Sequence, residues 1–294
     1  MTYLKSPRDI LRNARWRLNC SISQEPIVFV LGAPRSGTTL LQRVLTLHDQ
    51  LFSIQGETGL FSRQNIFARK HFHLSWDETR TLFEQSSDIV DLLQNGVCRL
   101  RKLQQLSSDT RMVEKTPQHV LQLKFLTRHF PNARFLHIIR DGRDCYCSSL
   151  NHPNIRQETS VRRFARYWAA CVHTGLAFDS HPNVTRLTYE EFVESPHAVL
   201  SRIMLALGLS PQEKQLDTYA IGLDVRSERQ EFARLSQPIQ TTSVGRWKEE
   251  LTTAEVQTFN LYAGKVLAEL GYPSSSPSSA TKLSETGQIT GSAA

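Results

Sequence analysis

Short apolar segments alternate with longer segments of helical periodicity between residues 26 and 273. The short segments are rich in Val, Ile and Phe and are predicted to be strands: 27–31, 51–54, 112–114, 134–139 and 184–187. The longer segments are predicted to be helices: 38–47, 76–106, 118–129, 160–178, 195–207 and 254–270. Strands that alternate with helices in this way predict an α/β fold with a central parallel sheet and helices on both faces.

The same pattern divides the chain into three parts. Residues 26–273 contain no internal repeat and no Pro-, Gly- or Ser-rich linker, so they are predicted to be a single domain. Residues 1–25 form a basic extension whose apolar side chains are expected to pack on the main body: Leu4, Ile10, Leu11 and Leu18. Contact of this extension with anionic lipid is the alternative. Residues 274–294 are rich in Ser, Thr and Gly and are expected to be a disordered tail.

Composition narrows the classes of protein to which the chain can belong. Of the 294 residues, 39% are hydrophobic and 21% are charged, which excludes a largely unfolded protein. No apolar stretch approaches the roughly 20 residues of a membrane-spanning helix, and the N-terminus lacks the apolar core of a secretory signal. The five cysteines are scattered without C-x-x-C or zinc-binding spacing. We therefore expect a cytoplasmic protein without a transmembrane segment or a metal site.

The charge balance favours an anionic ligand. The net charge is +7, and the chain contains 26 Arg and only 9 Lys. Because a guanidinium group presents a planar fork to phosphate or sulfate, an arginine-rich chain suits the binding of oxyanions.

The first predicted strand leads into a glycine-containing turn and then a helix. Gly32 and Gly37 have G-x-x-x-x-G spacing, which lets backbone N–H groups and the next helix N-terminus converge on one oxyanion. A nucleoside triphosphatase would place Lys after the second glycine, followed by Ser or Thr for magnesium. Here Thr38 and Thr39 follow, and the cation comes earlier as Arg35. The loop is thus predicted to bind a phosphate without the machinery for a magnesium-bound triphosphate.

A second anion site is predicted where the strand 134–139 ends. Arg140 would emerge at the carboxyl end of this strand, and Ser148 lies about two helical turns further on. Both side chains can reach a second phosphate. Asp141 and Arg143 lie between them and are predicted to form an ion pair in a surface turn.

With these two sites the chain resembles the sulfotransferase superfamily that uses 3′-phosphoadenosine 5′-phosphosulfate (PAPS). The family's 5′-phosphosulfate loop is similar to Pro34–Thr39, and its 3′-phosphate site is similar to Arg140 through Ser148. Residues 188–192 look like its Tyr-Glu-Asp motif, and residues 244–248 resemble its Gly-x-Trp-Lys element. The resemblance implies a single P-loop-type domain, no metal, PAPS as donor, and these cofactor-binding residues: Arg35, Ser36, Gly37, Thr38, Thr39, Arg140, Ser148, Tyr189, Gly245, Trp247 and Lys248.

The resemblance also implies three catalytic residues: Glu57, Arg35 and Lys115. Glu57 follows a short strand in a sequence similar to the Gly-Glu-Glu-Thr turn of tyrosylprotein sulfotransferases, whose second Glu is the general base. Lys115 matches the lysine that contacts the leaving group in the tyrosylprotein and bacterial branches. Because the cytosolic branch uses His as base, His119 is the reserve candidate. His137 is expected to face the wrong way among buried neighbours.

The sequence therefore predicts an enzyme that transfers a sulfuryl group from PAPS to an acceptor hydroxyl by in-line displacement. The acceptor stays open between a protein tyrosine, a glycan, a lipid and a small metabolite, and the oligomeric state stays open too. A P-loop nucleotide kinase or NTPase is one alternative, which Thr38 in place of Lys disfavours. A basic nucleic-acid-binding module is another, suggested by the charge alone, and no nucleic-acid partner is expected.

Overall fold

The computed structural model describes residues 7–54, 56–62, 66–68, 70–150, 160–217, 239 and 241–273. Its centre is a five-stranded sheet in the order β2-β3-β1-β4-β5 in which every pairing is parallel. The strands are β1 (Val28–Gly32), β2 (Leu51–Phe52), β3 (Arg111–Lys115), β4 (Arg134–Ile139) and β5 (Val184–Thr188). The predicted parallel sheet is confirmed.

Helices cover both faces of this sheet. Along the chain they are α1 (Pro7–Arg15), α2 (Thr38–Thr46), α3 (Trp76–Gln85), α4 (Ile89–Leu103), α5 (Leu123–His129), α6 (Gly142–Leu150), α7 (Val161–Leu176), α8 (Tyr189–Glu194), α9 (Pro196–Ala206), α10 (Trp247–Glu250) and α11 (Thr253–Glu269). Short 3₁₀ turns occur at Ile66–Ala68, Pro117–Gln122, Glu213–Leu216 and Thr241–Ser243. The α/β fold with helices on both faces is thus confirmed.

The apolar run in β1 follows from its central place. Phe29 and Leu31 belong to one core cluster, with residues of α4, α5, α7 and α11. Val28 and Val30 belong to the cluster on the other face, with residues of α2, α8 and α9. Since successive side chains of a strand point to opposite faces, a strand covered on both sides must be apolar at every position.

The single helix predicted over 76–106 is instead two helices. Ser86, at the end of α3, has an extended backbone, and the Asp88 side chain accepts hydrogen bonds from the backbone N–H groups of Val90 and Asp91 at the start of α4. This N-cap begins a new helix because the carboxylate satisfies amide groups that have no partner within the helix. The apolar periodicity continues across the break, which explains why it concealed the boundary.

The basic extension is attached differently from the prediction. Three apolar side chains expected to pack on the main body are more than half exposed: Ile10 (51%), Leu11 (71%) and Leu18 (65%). The Trp16 ring lies instead against Phe67 and Phe83, with centroids 5.2 and 5.4 Å away. The Arg17 guanidinium donates a 2.7 Å hydrogen bond to the Ser62 carbonyl. The segment is therefore fastened by Trp16 and Arg17, and the prediction for the three aliphatic side chains was wrong.

Some sequence predictions lie outside the described residues. These are the packing of Leu4 and the disordered tail at 274–294. Within the described ranges, no helix combines the length and the apolar character that crossing a bilayer requires.

Candidate active site at the carboxyl edge of the sheet

The register of the central strands brings the predicted site segments to one edge of the sheet. Lys115, the last residue of β3, pairs with Val30, two residues before β1 ends at Gly32. Gly32 itself pairs with Ile138, so Arg140 begins the loop beside it. The carboxyl ends of parallel strands are where ligands bind in open α/β sheets. The loop after β1 is therefore flanked by both predicted cation sites.

The two glycines of the phosphate loop are required by close contacts. A Cβ on Gly32 would lie 2.4 Å from the Ile138 carbonyl oxygen, and one on Gly37 would lie 2.5 Å from the Tyr189 ring. Gly37 has a φ of 94° and is the N-cap residue of α2, where it has no side chain that could accept hydrogen bonds from the helix N–H groups. The N–H groups in the first turn of α2 are thus directed at the loop, in the arrangement that binds anions at helix N-termini.

Arg35 has an unusual backbone in this loop. Its φ of 69° lies in the left-handed region, which costs a non-glycine residue of the order of 1 kcal/mol or more and is often found at ligand sites. The guanidinium Nε donates a hydrogen bond of 3.1 Å to Ser148 Oγ on α6. The structure therefore brings together Arg35 and Ser148, which the sequence assigned to two different phosphates.

Arg140 connects three parts of the site. Its Nη1 donates to the Arg35 carbonyl at 3.1 Å and its Nη2 donates to the Ser243 carbonyl at 2.5 Å, while the guanidinium lies 4.4 Å from the Tyr189 ring centroid. The side chain is almost completely buried. Its Nε has no hydrogen-bond partner among the described residues. A buried N–H without a partner is costly, so this atom suits an anionic ligand oxygen.

The Gly-x-Trp-Lys segment is held by a carboxylate that the sequence analysis did not select. Asp144 on α6 accepts hydrogen bonds from the backbone N–H groups of Gly245 at 2.7 Å and Trp247 at 2.9 Å. Burial raises the pKa of Asp144 above its usual value, although these two bonds oppose the shift. Lys248 follows in the same segment and is exposed. Asp144 thus holds this segment against α6. Its position in the first turn of α6 was the one sequence signal for a role, since carboxylates are favoured at helix N-termini.

The predicted ion pair of Asp141 and Arg143 forms, with a distance of 2.7 Å between Oδ2 and Nη2. Its predicted position in a surface turn was wrong. The Arg143 side chain is completely buried, lies 3.7 Å from the Trp247 ring centroid and donates to the Pro273 carbonyl. Trp247 is itself buried by this stacking. The pair therefore helps to hold the Gly-x-Trp-Lys segment in place, because Arg143 lies against the Trp247 ring.

Glu190 is a second carboxylate that the sequence analysis missed. Its Oε1 accepts a hydrogen bond from the Asp141 backbone N–H at 2.9 Å, and its Oε2 accepts one from the Tyr272 hydroxyl at 3.0 Å. Burial raises the pKa of Glu190. Glu190 follows Tyr189, whose ring lies against the Arg140 guanidinium, at the start of α8. Through its hydrogen bond with Tyr272, Glu190 therefore connects this part of the site to the last described residues of the domain.

Glu57 and Lys115 meet at this edge of the sheet. The Lys115 Nζ donates a 3.0 Å hydrogen bond to Glu57 Oε1. The Lys115 side chain is 6% exposed and that of Glu57 is 35% exposed, so the carboxylate can be reached from solvent while the ammonium group lies beneath it. The neighbour of Lys115 in the chain, Glu114, contacts Thr58, Thr116 and His119 instead. A half-exposed carboxylate beside a buried cation can accept a proton from a ligand and stabilise developing negative charge.

Neither histidine considered from the sequence can take the place of Glu57. His119 is completely buried, its Nε2 accepts the Phe61 backbone N–H at 3.1 Å and its Nδ1 lies 3.0 Å from Glu114. His137 is also buried, and its ring nitrogens have no hydrogen-bond partner in the described part of the chain. The reserve assignment of His119 is thus corrected, because both of its nitrogens are used inside the protein.

The described residues contain no group of three or more His, Cys, Asp or Glu side chains that could hold a metal ion. The five cysteines, which all lie in described ranges, are unpaired thiols there.

Comparison with known proteins identifies the family of this chain. A sulfotransferase family model matches residues 26–213, more than half of the chain. Protein-tyrosine sulfotransferase A of Caenorhabditis elegans is 25% identical over 86% of this chain and 69% of its own. The putative protein-tyrosine sulfotransferase of Caenorhabditis briggsae is 26% identical over 86% of this chain and 91% of its own.

Two solved structures share the fold. The sulfotransferase domain of the Synechococcus PCC 7002 olefin synthase has a TM-score of 0.60 at 19% identity, over 84% of this chain and 98% of that domain. A mouse sulfotransferase crystallised with PAP has a TM-score of 0.53 at 14% identity, over 88% of this chain and 91% of its own. The match of the family model over residues 26–213 shows that this chain belongs to the sulfotransferase family.

Proposed function

We propose that the protein transfers a sulfuryl group from PAPS to an acceptor hydroxyl, with Glu57 as the general base. The observation that carries this proposal is the 3.0 Å contact of Glu57 with Lys115 at the sheet edge that also holds the phosphate loop. A proton acceptor and a cation lie there next to an anion-binding turn, which is the combination that sulfuryl transfer needs.

The residues of the edge fit a nucleotide with phosphates at two positions. The turn ending at Gly37 and the first turn of α2 can hold the 5′-phosphosulfate. The unpartnered Nε of Arg140 and the hydroxyl of Ser148 can hold the 3′-phosphate. PAPS, when bound, supplies the sulfuryl group. The family relationship supports this donor, as does the mouse relative that was crystallised with PAP.

The side chains have separate tasks in this reaction. Glu57 accepts the proton of the acceptor hydroxyl, and Lys115 and Arg35 stabilise negative charge on the transferred group and the leaving phosphate. Sulfuryl transfer resembles loose phosphoryl transfer, in which positioning and charge stabilisation supply most of the rate. The buried ammonium of Lys115 is well suited to the second task, because charges interact more strongly away from water.

We propose a protein tyrosine as the first acceptor to test. The support is the naming of two relatives as protein-tyrosine sulfotransferases, and the chain spans 69% and 91% of their lengths. A glycan, a lipid and a small metabolite are the other acceptors in the panel. A reducing compartment such as the cytoplasm also belongs to the proposal, supported by the five unpaired thiols in the described ranges.

The decisive experiment compares Glu57→Gln with the wild type in turnover of labelled PAPS and in calorimetric binding of adenosine 3′,5′-bisphosphate. Loss of the proton acceptor should lower turnover by about 10²–10⁴-fold and leave nucleotide affinity nearly unchanged. Glu84→Gln, on the exposed face of α3, is the matched control and should keep full turnover. Undiminished turnover in Glu57→Gln would remove this residue from the mechanism. Magnesium-dependent ATP turnover without affinity for the bisphosphate would favour the kinase or NTPase alternative.

A further inference from the structure

A buried carboxylate lies next to the Glu57–Lys115 pair and contacts the neighbours of both residues. Glu114 precedes Lys115 in β3 and is completely buried. Its Oε1 accepts hydrogen bonds from the hydroxyls of Thr58 at 2.6 Å and Thr116 at 2.7 Å. Thr58 follows Glu57 in the chain and Thr116 follows Lys115. A single oxygen atom therefore joins the two segments that carry the pair.

The other oxygen of Glu114 continues the network through His119. The Phe61 backbone N–H donates to His119 Nε2, so this nitrogen carries no hydrogen atom. The hydrogen atom of the neutral ring must therefore lie on Nδ1, which is 3.0 Å from Glu114 Oε2. His119 thus donates to the carboxylate and accepts from the loop, which fixes its tautomer.

Backbone N–H groups of the loop that carries Glu57 donate hydrogen bonds to the same network. The Gly59 N–H donates to Thr116 Oγ1 at 3.1 Å, and the Leu60 N–H donates to Thr58 Oγ1 at 3.3 Å. With Phe61 N–H on His119, three consecutive amide groups end on side chains of this network. Residues 56–62 contain no helix or strand, so these contacts replace the hydrogen bonds of regular secondary structure.

A network of buried polar and charged groups costs free energy of folding that an apolar cluster would not. Burial by itself would raise the pKa of Glu114, but the hydrogen bonds that it accepts from His119, Thr58 and Thr116 lower it. Apolar side chains of similar volume are often at least as stabilising as a buried charged group. A carboxylate in a buried strand position, where the paired residue of β1 is Phe29, is a local conflict of the kind found at functional sites.

We propose that Glu114 and His119 are positioning residues that hold Glu57 and Lys115 in register for the transfer reaction, an inference that rests on the proposed function. The two hydroxyls on Glu114 Oε1 set the separation of the segments. His119 sets the path of the loop through Phe61. Misplacement of a catalytic group by about 1 Å can cost on the order of 10²-fold in rate. We therefore expect the network to act on turnover and not on nucleotide affinity, because its contacts join the Glu57 loop to β3 and the turn after it.

Thr58→Val tests the proposal, because it removes the hydroxyl next to Glu57 and keeps the shape of the side chain. We expect kcat to fall by about 10–100-fold, with the KM for PAPS and the affinity for adenosine 3′,5′-bisphosphate within about threefold of the wild type. Thr58→Ser keeps the hydroxyl and should restore kcat. Thr79→Val is the matched control: among the described residues, this buried threonine donates only to the carbonyl of Ser75, the N-cap residue of its own helix. An unchanged kcat in Thr58→Val, or equal losses in Thr58→Val and Thr79→Val, would overturn the proposal.

A spectroscopic measurement on the wild-type chain keeps the proposal testable without any variant and without activity. Nitrogen NMR of ¹⁵N-histidine-labelled protein should show His119 with its hydrogen atom on Nδ1 and none on Nε2. A hydrogen atom on Nε2 would contradict the network. Failure of the proposed function gives a different result: wild-type protein that binds no bisphosphate and transfers no label, with the His119 tautomer unaffected.

Discussion

The two halves of the candidate site are held in place by different means. Around the phosphate loop, the positions are set by backbone geometry: Gly32 and Gly37 permit close contacts, and Arg140 donates to carbonyl groups on both sides. Around Glu57, a buried network of side chains holds a loop without regular structure. The first group, the nucleotide half, is proposed to bind the donor, and the second, the Glu57 half, is proposed to hold the groups that react. We therefore expect substitutions in the nucleotide half to lower nucleotide affinity and substitutions in the Glu57 half to lower the rate of turnover.

The largest effect that would sharpen this contrast is expected for Lys115→Ala. This substitution removes a buried cation that is proposed to stabilise the negative charge developing in the reaction, so turnover should fall by about 10²–10³-fold. Affinity for adenosine 3′,5′-bisphosphate should change much less, since Lys115 is proposed to stabilise charge that develops only during the transfer. Single-turnover transfer from labelled PAPS and calorimetry measure the two quantities. Loss of affinity equal to the loss of rate would place Lys115 in the nucleotide half.

Arg140→Ala should give the opposite result. A hydrogen bond to a charged group contributes about 1.5–3 kcal/mol, so affinity for adenosine 3′,5′-bisphosphate should fall by roughly 10–150-fold. The affinity for adenosine 5′-phosphate, which lacks the second phosphate, should fall far less. Lys102→Ala, near the end of α4, is the control for a simple change of net charge. Equal losses for both nucleotides would reject the assignment of Arg140 to the 3′-phosphate.

A smaller effect is expected for the pH dependence of folding stability. It is measured separately, so that it is not mistaken for a pH dependence of turnover in the Glu57 half. Burial, with a contribution from Arg186, lowers the pKa of His137 from 6.5 to about 4. Below pH 6.5 the unfolded chain binds a proton at this residue, whereas the folded chain does not until the pH nears 4. Stability is therefore lost as the pH falls through this window, by about 2 kcal/mol at pH 5 from this residue.

His137→Leu checks this expectation, because leucine cannot titrate. Chemical unfolding at pH 7 and pH 5 should show a smaller loss of unfolding free energy for the variant than for the wild type. His197→Gln, at an exposed position in α9, should follow the wild type. Parallel losses in wild type and His137→Leu would show that other groups control acid stability.

Much of the fold and of the nucleotide half could be predicted from short stretches of sequence. A strand covered on both faces must be apolar throughout, so Val28–Gly32 was recognisable, and glycine spacing indicated the turn after it. The helix boundary at Asp88 was missed, because the apolar pattern continues across it and does not reveal an N-cap residue. The exposed side chains of α1 were missed for a related reason: an amphipathic pattern shows that a helix has an apolar face but not what covers that face.

The sequence by itself determined the strands of the parallel sheet and the glycine-containing turn after the first of them, because each depends on residues within a few positions of one another. The choice of Glu57 as candidate base came from a family resemblance and stays a prediction. Only the tertiary structure decided that Lys115 pairs with Glu57, 58 positions away, and not with its neighbour Glu114. It also decided that Arg140 reaches Ser243, 103 positions away, and that His119 is enclosed by the Glu57 loop. Such contacts depend on strand order and loop path, which place distant residues within hydrogen-bonding distance.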